Sequence, residues 1–307
     1  MTIDNPIVQG FYADPEIRFY NGTYHIYVTR SFTDYRLQQN LDAFTSRDLI
    51  HWQKHEDLIV REDFPWIEKA VWAPTVIEHG GRYFLIFASN DIQKLGEPGG
   101  LEIAVSDSPT GPFRGFLGRP LIHEFINGAQ PIDAHLFKDC NQSVYLYWGG
   151  WDHCNVAKLN PNLDGFQRLP EGSLFREITP EGYREAPCML ESGGTYFFMW
   201  SSGNWANASY RVSYATAENP LGPFHQQGVI LESSMIADGP GHHSCIPLEG
   251  SKDWLIAYHR RLIGASDPGA RILCLDRMKI IDGKIQKITM TNSWIPHPET
   301  GDEAIPR

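Results

Sequence analysis

A short run of aromatic and β-branched residues recurs five times, and this repeat limits the fold more than any other feature. The copies are GTYHIYVT from Gly22, GRYFLIFAS from Gly81, QSVYLYWGG from Gln142, GTYFFMWSS from Gly194 and SKDWLIAYH from Ser251. Intervals of 59, 61, 52 and 58 residues separate the aligned positions Tyr24, Tyr83, Val144, Tyr196 and Trp254. Repeats of about 50 residues with several short strands are typical of propeller blades. We therefore predict an all-β fold, a five-bladed β-propeller, with residues 1–307 as a single domain; chance similarity between strands is the alternative.

A second phrase precedes each copy of the run, and several of these phrases carry chemically useful side chains. They read ADPEIRFYNG, WAPTVIEHGG, IDAHLFKDCN, EAPCMLESGG and HHSCIPLEGS. Three phrases carry an acid near the start, namely Asp14, Asp133 and Glu185, and the others carry Trp72 and the pair His242 and His243. Because the first strand of every blade lines the propeller axis, we expect these residues to converge on one pocket.

Three converging acids indicate acid–base chemistry. Carboxylates held close together raise one another's pKa, so that one can stay protonated while another is ionised. Hydrolysis of a glycosidic bond needs that combination, an acid for the leaving oxygen and a base for water. Taken singly, each acid has a simpler explanation: Asp14 before proline suits a turn, Asp133 a bulge and Glu185 the surface. The shared repeat position favours the common site.

The amino-acid composition limits the classes of binding partner that the protein is expected to have. The formal net charge is −11 with no basic run, which argues against nucleic acid and anionic membranes. Aromatic residues make up 12% of the chain, and flat rings suit both sheets and surfaces that stack on sugars. We expect a small-molecule or oligosaccharide substrate; the oligomeric state is left open.

Cysteine usage and the chain's start bear on the compartment. The five cysteines form no C-x-x-C pair, and their odd number argues against a disulfide framework or a structural zinc site. The N-terminal residues show no secretory signal, and no window approaches the length of a membrane span. We therefore expect a cytoplasmic protein; secretion is the alternative if a signal has been removed.

Five segments together resemble glycoside hydrolases of family 43. They are NPIVQGFYADPEI, VWAPTVIEHGGRYFLIF, PIDAHLFKD, YREAPCML and GPGHHSC, in that order, and the resemblance covers almost the whole chain. It implies a five-bladed β-propeller enzyme that inverts the anomeric configuration. Members of that family mostly release arabinofuranose or xylose.

The resemblance also implies roles for individual residues. Asp14 corresponds to the general base that activates water, and Glu185 to the general acid. Asp133 corresponds to the acid that adjusts the pKa and orientation of Glu185. The remaining matches concern the sugar site and are the axial His242, the aromatic wall Trp72, the arginine Arg271 and, more loosely, a second wall at Phe32.

The resemblance leaves the cofactor and one backbone feature open. No cofactor is required, no catalytic metal is expected, and a structural calcium near the propeller axis is an expectation that the family suggests. The chain has Glu185-Ala186-Pro187 where family members often have glycine in the middle. The extra Cβ is tolerable unless the position needs a positive φ. Ala134 likewise follows Asp133 where proline is frequent.

The resulting hypothesis is an inverting, exo-acting glycoside hydrolase that releases a terminal pentose, as in hemicellulose degradation. An α-L-arabinofuranosidase is favoured, and a β-xylosidase or galactofuranosidase of the same fold is the alternative. A non-catalytic carbohydrate-binding propeller is the alternative of another class, but such a protein has no need of three acids. Among the tryptophans, we expect Trp148 and Trp200 in the core and Trp151 and Trp205 at a sugar-binding rim.

Overall fold

The computed structural model describes residues 2–295, so Met1 and residues 296–307 of the predicted domain lie outside the described residues. The chain begins with β1 (Ile3–Asp4). Blade 1 follows as a four-stranded antiparallel sheet of β2 (Tyr12–Tyr20), β3 (Thr23–Arg30), β4 (Leu41–Ser46) and β5 (Gln53–His55). Blade 2 has the same order in β6 (Val71–His79), β7 (Arg82–Ser89), β8 (Gly100–Ser106) and β9 (Arg114–Gly115).

The next two blades repeat this meander. Blade 3 consists of β10 (His135–Lys138), β11 (Val144–Trp148), β12 (Asn155–Leu159) and β13 (Phe166–Gln167), with β14 (Arg176–Glu177) also paired to β12. Blade 4 consists of β15 (Glu185–Ser192), β16 (Thr195–Ser202), β17 (Arg211–Ala217) and β18 (His225–Leu231).

Blade 5 is a three-stranded sheet, and short elements complete the fold. The blade consists of β19 (Asp238–Pro247), β20 (Trp254–Arg261) and β21 (Arg271–Met278). After it come β22 (Ile280–Ile281), β23 (Lys284–Ile285) and β24 (Ser293–Trp294). Two 3-10 helices lie in loops, at Tyr35–Leu37 and Arg61–Asp63. No helix among residues 2–295 is long and apolar enough to cross a membrane.

The predicted five-bladed propeller is confirmed. Each copy of the sequence repeat is the second strand of a blade (β3, β7, β11, β16 and β20), and each preceding phrase enters or forms the first strand. The first strands contact one another in a closed ring of β2, β6, β10, β15 and β19. The same ends of these five strands therefore face one mouth of the axis.

The hydrophobic core lies between the blades. Five clusters of buried side chains fill the five gaps between neighbouring sheets, one cluster for each pair of blades. The predicted core residues Trp148 and Trp200 are fully buried. Burial of both faces explains why the second strands read as continuous apolar runs rather than alternating ones.

The N-terminal segment closes the ring against blade 5. β1 pairs with β24. Asn5 exchanges two hydrogen bonds with the Leu275 backbone, at 2.8 Å from Nδ2 and 2.9 Å to Oδ1. The Ile7 N–H donates to the Leu273 carbonyl at 3.1 Å. These bonds cover the outer edge of β21, which would otherwise expose unpaired backbone groups.

A left-handed residue recurs where the chain enters the first strand of each blade. The φ angles are 52°, 49°, 56°, 57° and 42° at Asp14, Ala73, Asp133, Ala186 and His242. In four blades this residue lies inside a β-bulge. A bulge turns two successive side chains out of their usual alternation. Either the left-handed residue or the one before it can thus face the mouth of the axis.

Candidate active site

A pocket of about 360 Å³ lies at this mouth of the axis. All seven sequence-predicted site residues line it, namely Asp14, Asp133, Glu185, Trp72, His242, Arg271 and Phe32. The two expected rim tryptophans, Trp151 and Trp205, line it as well and are 36% and 38% exposed. His243, the other half of the histidine pair, is buried and does not line the pocket.

The three acids occupy two different positions of the repeat, which the sequence comparison did not separate. Asp14 and Asp133 are left-handed residues, whereas Glu185 precedes the left-handed Ala186. Glu185 is therefore the counterpart of Trp72, which precedes Ala73. Both positions reach the pocket because of the bulge, and this explains how acids one residue out of register still converge.

Asp14 is held as a carboxylate by its surroundings. Burial alone would raise its pKa, but the neighbouring His242 and Arg271 lower the pKa to about 2. The Asp14 Oδ1 atom lies 3.2 Å from Arg271 Nη1 and 3.2 Å from His242 Nδ1. Arg271 is itself positioned by its Nε donating to Ser31 Oγ at 3.0 Å. Asp14 is thus ionised at any pH near neutrality.

The pKa values of Asp133 and Glu185 are raised, in contrast to that of Asp14. Burial, followed by the charges of Glu185 and Asp14, raises the pKa of Asp133 well above its usual value. Burial also raises the pKa of Glu185, partly offset by the Tyr210 hydroxyl, which donates to Oε1 at 2.9 Å. The Ala186 N–H donates to Asp133 Oδ2 at 3.1 Å. Interacting carboxyls of this kind titrate as a pair, in two macroscopic steps.

Tyr210 and His259 are site residues that sequence reasoning missed. Tyr210 lies just before β17 and has no counterpart signal in other repeats, so nothing in the sequence pointed to it. His259 ends the fifth copy of the run, and β20 pairs it with Gly241 at the start of the fifth blade. The Asp14 N–H donates to His259 Nδ1 at 3.3 Å, and Tyr210 stacks on the imidazole at 5.8 Å. Antiparallel pairing was the signal that could have located His259.

Loops supply the remaining lining, which the repeat could not reveal because loops differ between blades. These residues are Thr33, Tyr35, Gln38, Asp91, Gln93, Gln130, Ile132, Arg184 and Gly269. Some are fixed by one another: Gln130 Nε2 and Gln93 Nε2 donate to Asp91 Oδ1 at 3.0 and 2.7 Å. Tyr35 packs edge-on against Trp72 with ring centroids 5.8 Å apart.

A second acidic group lies deeper along the axis, but it is fully paired. Glu16 is buried and forms an ion pair with Arg18. Its Oε1 accepts from Thr75 at 3.1 Å, and its Oε2 lies 3.7 Å from His135 Nδ1. Burial would raise the pKa of Glu16, but Arg18 and His135 lower it. This carboxylate is a structural charge rather than a reactive one.

The expected calcium finds no closed set of protein ligands. Residues 2–295 contain no group of three or more His, Cys, Asp or Glu side chains placed to hold a metal. Calcium takes six to eight oxygen ligands, and the deeper carboxylate on the axis, Glu16, is already paired with Arg18. The side chains present do not fit a site closed by protein ligands, so the calcium expectation stays a prediction and no chemistry below depends on it.

Comparison with known proteins agrees with this architecture. The sequence profile of glycosyl hydrolases family 43 matches residues 3–285. A β-D-galactofuranosidase of Aspergillus niger is 37% identical over 300 residues, covering 94% of this chain and 85% of that protein. A β-xylosidase of Xylanibacter ruminicola is 29% identical over 234 residues, covering 64% and 67%.

Solved structures show the same fold. A thermostable family-43 glycoside hydrolase superposes with a TM-score of 0.79 at 23% identity, covering 98% of this chain and 99% of that one. An α-L-arabinofuranosidase of Clostridium thermocellum superposes with a TM-score of 0.75 at 24% identity, covering 92% and 95%. With the profile match over nearly the whole chain, these findings show that the protein belongs to glycoside hydrolase family 43.

Proposed function

We propose that the protein is an inverting, exo-acting glycosidase that removes a terminal furanose, foremost α-L-arabinofuranose, from oligo- or polysaccharides. One observation carries this proposal: an ionised Asp14 and a Glu185 with a raised pKa line the same pocket. Glycosidases assign the roles of base and acid by placing two carboxyls in environments that shift their pKa values in opposite directions.

In the proposed reaction, Asp14 takes a proton from a water molecule whose oxygen attacks the anomeric carbon. Glu185 gives its proton to the glycosidic oxygen as the bond from that oxygen to the anomeric carbon breaks. Attack opposite the leaving group inverts the anomeric centre. Asp14 then holds a proton and Glu185 has lost one, and exchange with solvent restores both.

Four side chains support the two reacting carboxyls. Asp133 lies beside the acid, and its pKa is raised by burial and by the charge of Glu185, so the two carboxyls share protons as a pair. Asp133 also accepts the Ala186 N–H and thereby fixes the turn that presents Glu185. Tyr210 orients the Glu185 carboxyl through its hydroxyl. Arg271 and His242 keep Asp14 ionised, and all four side chains are rigidly held by strands or inter-blade hydrogen bonds.

A second candidate substrate is a terminal β-D-galactofuranose. The observation that favours it is the 37% identity to a β-D-galactofuranosidase. β-D-Galactofuranosyl and α-L-arabinofuranosyl rings share the arrangement of their ring substituents and differ in the length of the exocyclic group. One acid–base pair can therefore serve both sugars, and the walls around the exocyclic carbon decide between them. A xylopyranoside requires a different ring shape, and the β-xylosidase relative keeps it as the third candidate.

The test is a panel of nitrophenyl α-L-arabinofuranoside, β-D-galactofuranoside and β-D-xylopyranoside, with the first-formed anomer followed by proton NMR. Hydrolysis of a furanoside with the opposite anomer released first supports the proposal. Release of the same anomer would contradict inversion. Turnover of the xylopyranoside alone would overturn the furanose assignment, and sugar binding without any hydrolysis would point to a carbohydrate-binding propeller.

A further inference from the structure

A stacked pair of aromatic rings forms part of the pocket rim. Trp151 lies against Phe125 with ring centroids 5.0 Å apart and planes 11° apart. Phe125 is half-buried in the loop between blades 2 and 3 and covers one face of the indole. The part of Trp151 that stays exposed lines the pocket. The indole is thus a flat surface with a backing on one side and the pocket on the other.

The backbone that carries this indole is strained. Trp151 and the following Asp152 both have left-handed φ angles, 58° and 64°. This region is unfavourable for a bulky side chain. Backbone strain of this kind persists where the surroundings enforce it and is concentrated at ligand-binding positions. The turn is also closely packed, since a Cβ at Gly149 would lie 2.1 Å from the His153 carbonyl oxygen.

An ion pair connects the indole to the acid side of the pocket. Arg184 Nη1 lies 3.2 Å from Asp152 Oδ2 and 3.3 Å from Oδ1. The Asp152 N–H also donates to the Arg184 carbonyl at 3.4 Å. Arg184 directly precedes Glu185 in the chain. The position of Trp151 is therefore fixed relative to Glu185.

The other rim tryptophan belongs to the opposite side. The Arg271 guanidinium lies over the Trp205 ring, 5.3 Å from its centroid. Arg271 in turn pairs with Asp14 at 3.2 Å. Two tryptophans of nearly equal exposure thus flank different carboxyls, Trp151 the proposed acid and Trp205 the proposed base.

We propose that Trp151, backed by Phe125 and held by the Asp152–Arg184 pair, is the platform for a sugar ring in the leaving group. This inference rests on the proposed function, in which Glu185 protonates the oxygen of the leaving group and that group leaves on the Glu185 side. The apolar face of a sugar ring stacks on the indole, and the half-buried Arg184 and the exposed Asp152 offer hydrogen bonds to its hydroxyls. The preferred substrate is then an oligosaccharide rather than a glycoside of a small alcohol.

The experiment compares two substrates with the same furanose, a disaccharide or trisaccharide and the glycosyl fluoride, whose leaving group has no ring. The measured quantity is the ratio of kcat/KM for the oligosaccharide to kcat/KM for the fluoride. Trp151→Ala should lower this ratio about tenfold, the scale of one aromatic contact. Trp151→Tyr should restore most of it, and Asp152→Asn should lower it to an intermediate value.

Trp205→Ala is the matched control. It removes a tryptophan of similar exposure from the Asp14 side, so both substrates should slow together and the ratio should stay near the wild-type value. A wild-type ratio in Trp151→Ala, or an equal fall in Trp205→Ala, would overturn the platform. Urea unfolding verifies that each variant is folded, and if Trp151→Ala is not, the Tyr and Asn variants decide.

The same data separate this inference from the function on which it rests. If the wild-type protein hydrolyses neither substrate, the proposed glycosidase function fails. If it hydrolyses both and the ratio does not respond to Trp151 or Asp152, the function stands and only the platform is wrong.

Discussion

Two acids on the same strand are buried to a similar degree but have different surroundings. Asp14 and Glu16 are two residues apart on β2 and are 7% and 4% exposed. Glu16 is saturated by Arg18, Thr75 and His135, so its charge is fully compensated within the barrel of first strands. Asp14 pairs with Arg271, and both line a pocket that also contains Asp133 and Glu185. At the mouth of the axis, the negative charge of the acids is not fully compensated by nearby cations. In the deeper region, the charge of Glu16 is compensated by Arg18.

The largest effect is expected from substitutions of the acids at the mouth of the axis. Glu185→Gln should reduce kcat on an unactivated disaccharide by about 10²–10⁴-fold, since this is the usual contribution of general acid catalysis. The loss should be much smaller for a dinitrophenyl glycoside, whose leaving group needs no proton. Asp14→Asn should slow both substrates to a similar degree, because water activation is needed for each. Steady-state kinetics on the two substrates measures this contrast, and an equal loss for both substrates in Glu185→Gln would argue against the acid role.

The next largest effect, on stability, is expected from a substitution in the deeper region. Glu16→Gln leaves Arg18 without its counter-charge, and removing one partner of a buried ion pair costs about 3 kcal/mol or more. We expect a lower free energy of unfolding in urea, with much less effect on kcat per folded molecule than Asp14→Asn has. If Glu16→Gln were as inactive as Asp14→Asn while remaining folded, the distinction between the two regions would be wrong.

The pH profile sharpens the comparison within the mouth. Because the pKa of Asp14 is about 2, kcat/KM should not fall on the acid side until the protein unfolds. Activity should fall on the alkaline side as the Asp133–Glu185 pair loses its proton, at a pH above the usual value for a glutamate. In Asp133→Asn, Glu185 titrates without the second carboxyl, whose charge repels it once the pair has lost both protons, so this alkaline limb should move to lower pH. A limb that stays in place would show that Asp133 does not act on the pKa of Glu185.

The smallest expected effect concerns the backbone beneath the acid. Ala186 has a φ of 57°, a region that costs an L-residue about 1–2 kcal/mol and glycine nothing. Ala186→Gly should raise the free energy of unfolding by about 1 kcal/mol or less, because the more flexible unfolded chain offsets part of the gain. Ala73→Gly is the control in a blade without an acid, and it should show a similar gain. A loss of stability in both would mean that this conformation is not strained.

The fold could be predicted from the repeat because every blade buries the same pattern of apolar residues. The three acids could be predicted as a common site because they lie in that repeat. The need for a positive φ at Ala186 was foreseen only as a condition, and the structure meets it. The offset between Glu185 and Asp14 is visible in the repeated phrases, where Glu185 stands first and Asp14 second. That both positions reach the pocket was not predictable, because a bulge leaves no mark in the spacing of apolar residues. Tyr210 was not readable either, because a single blade uses it and side-chain contacts across 25 residues depend on how two strands pack.

The left-handed entry residue has one further consequence. An ordinary strand presents alternate side chains to a cavity. Here the pocket is lined by the left-handed residue in blades 1 and 5, by the residue before it in blades 2 and 4, and by both in blade 3, so five blades offer ten positions on one backbone frame. In this protein three of the ten are acids, one is an imidazole and one is an indole, and the others include three small alanines. The side chains that line the pocket can therefore be exchanged one at a time while the frame that supports them is left intact.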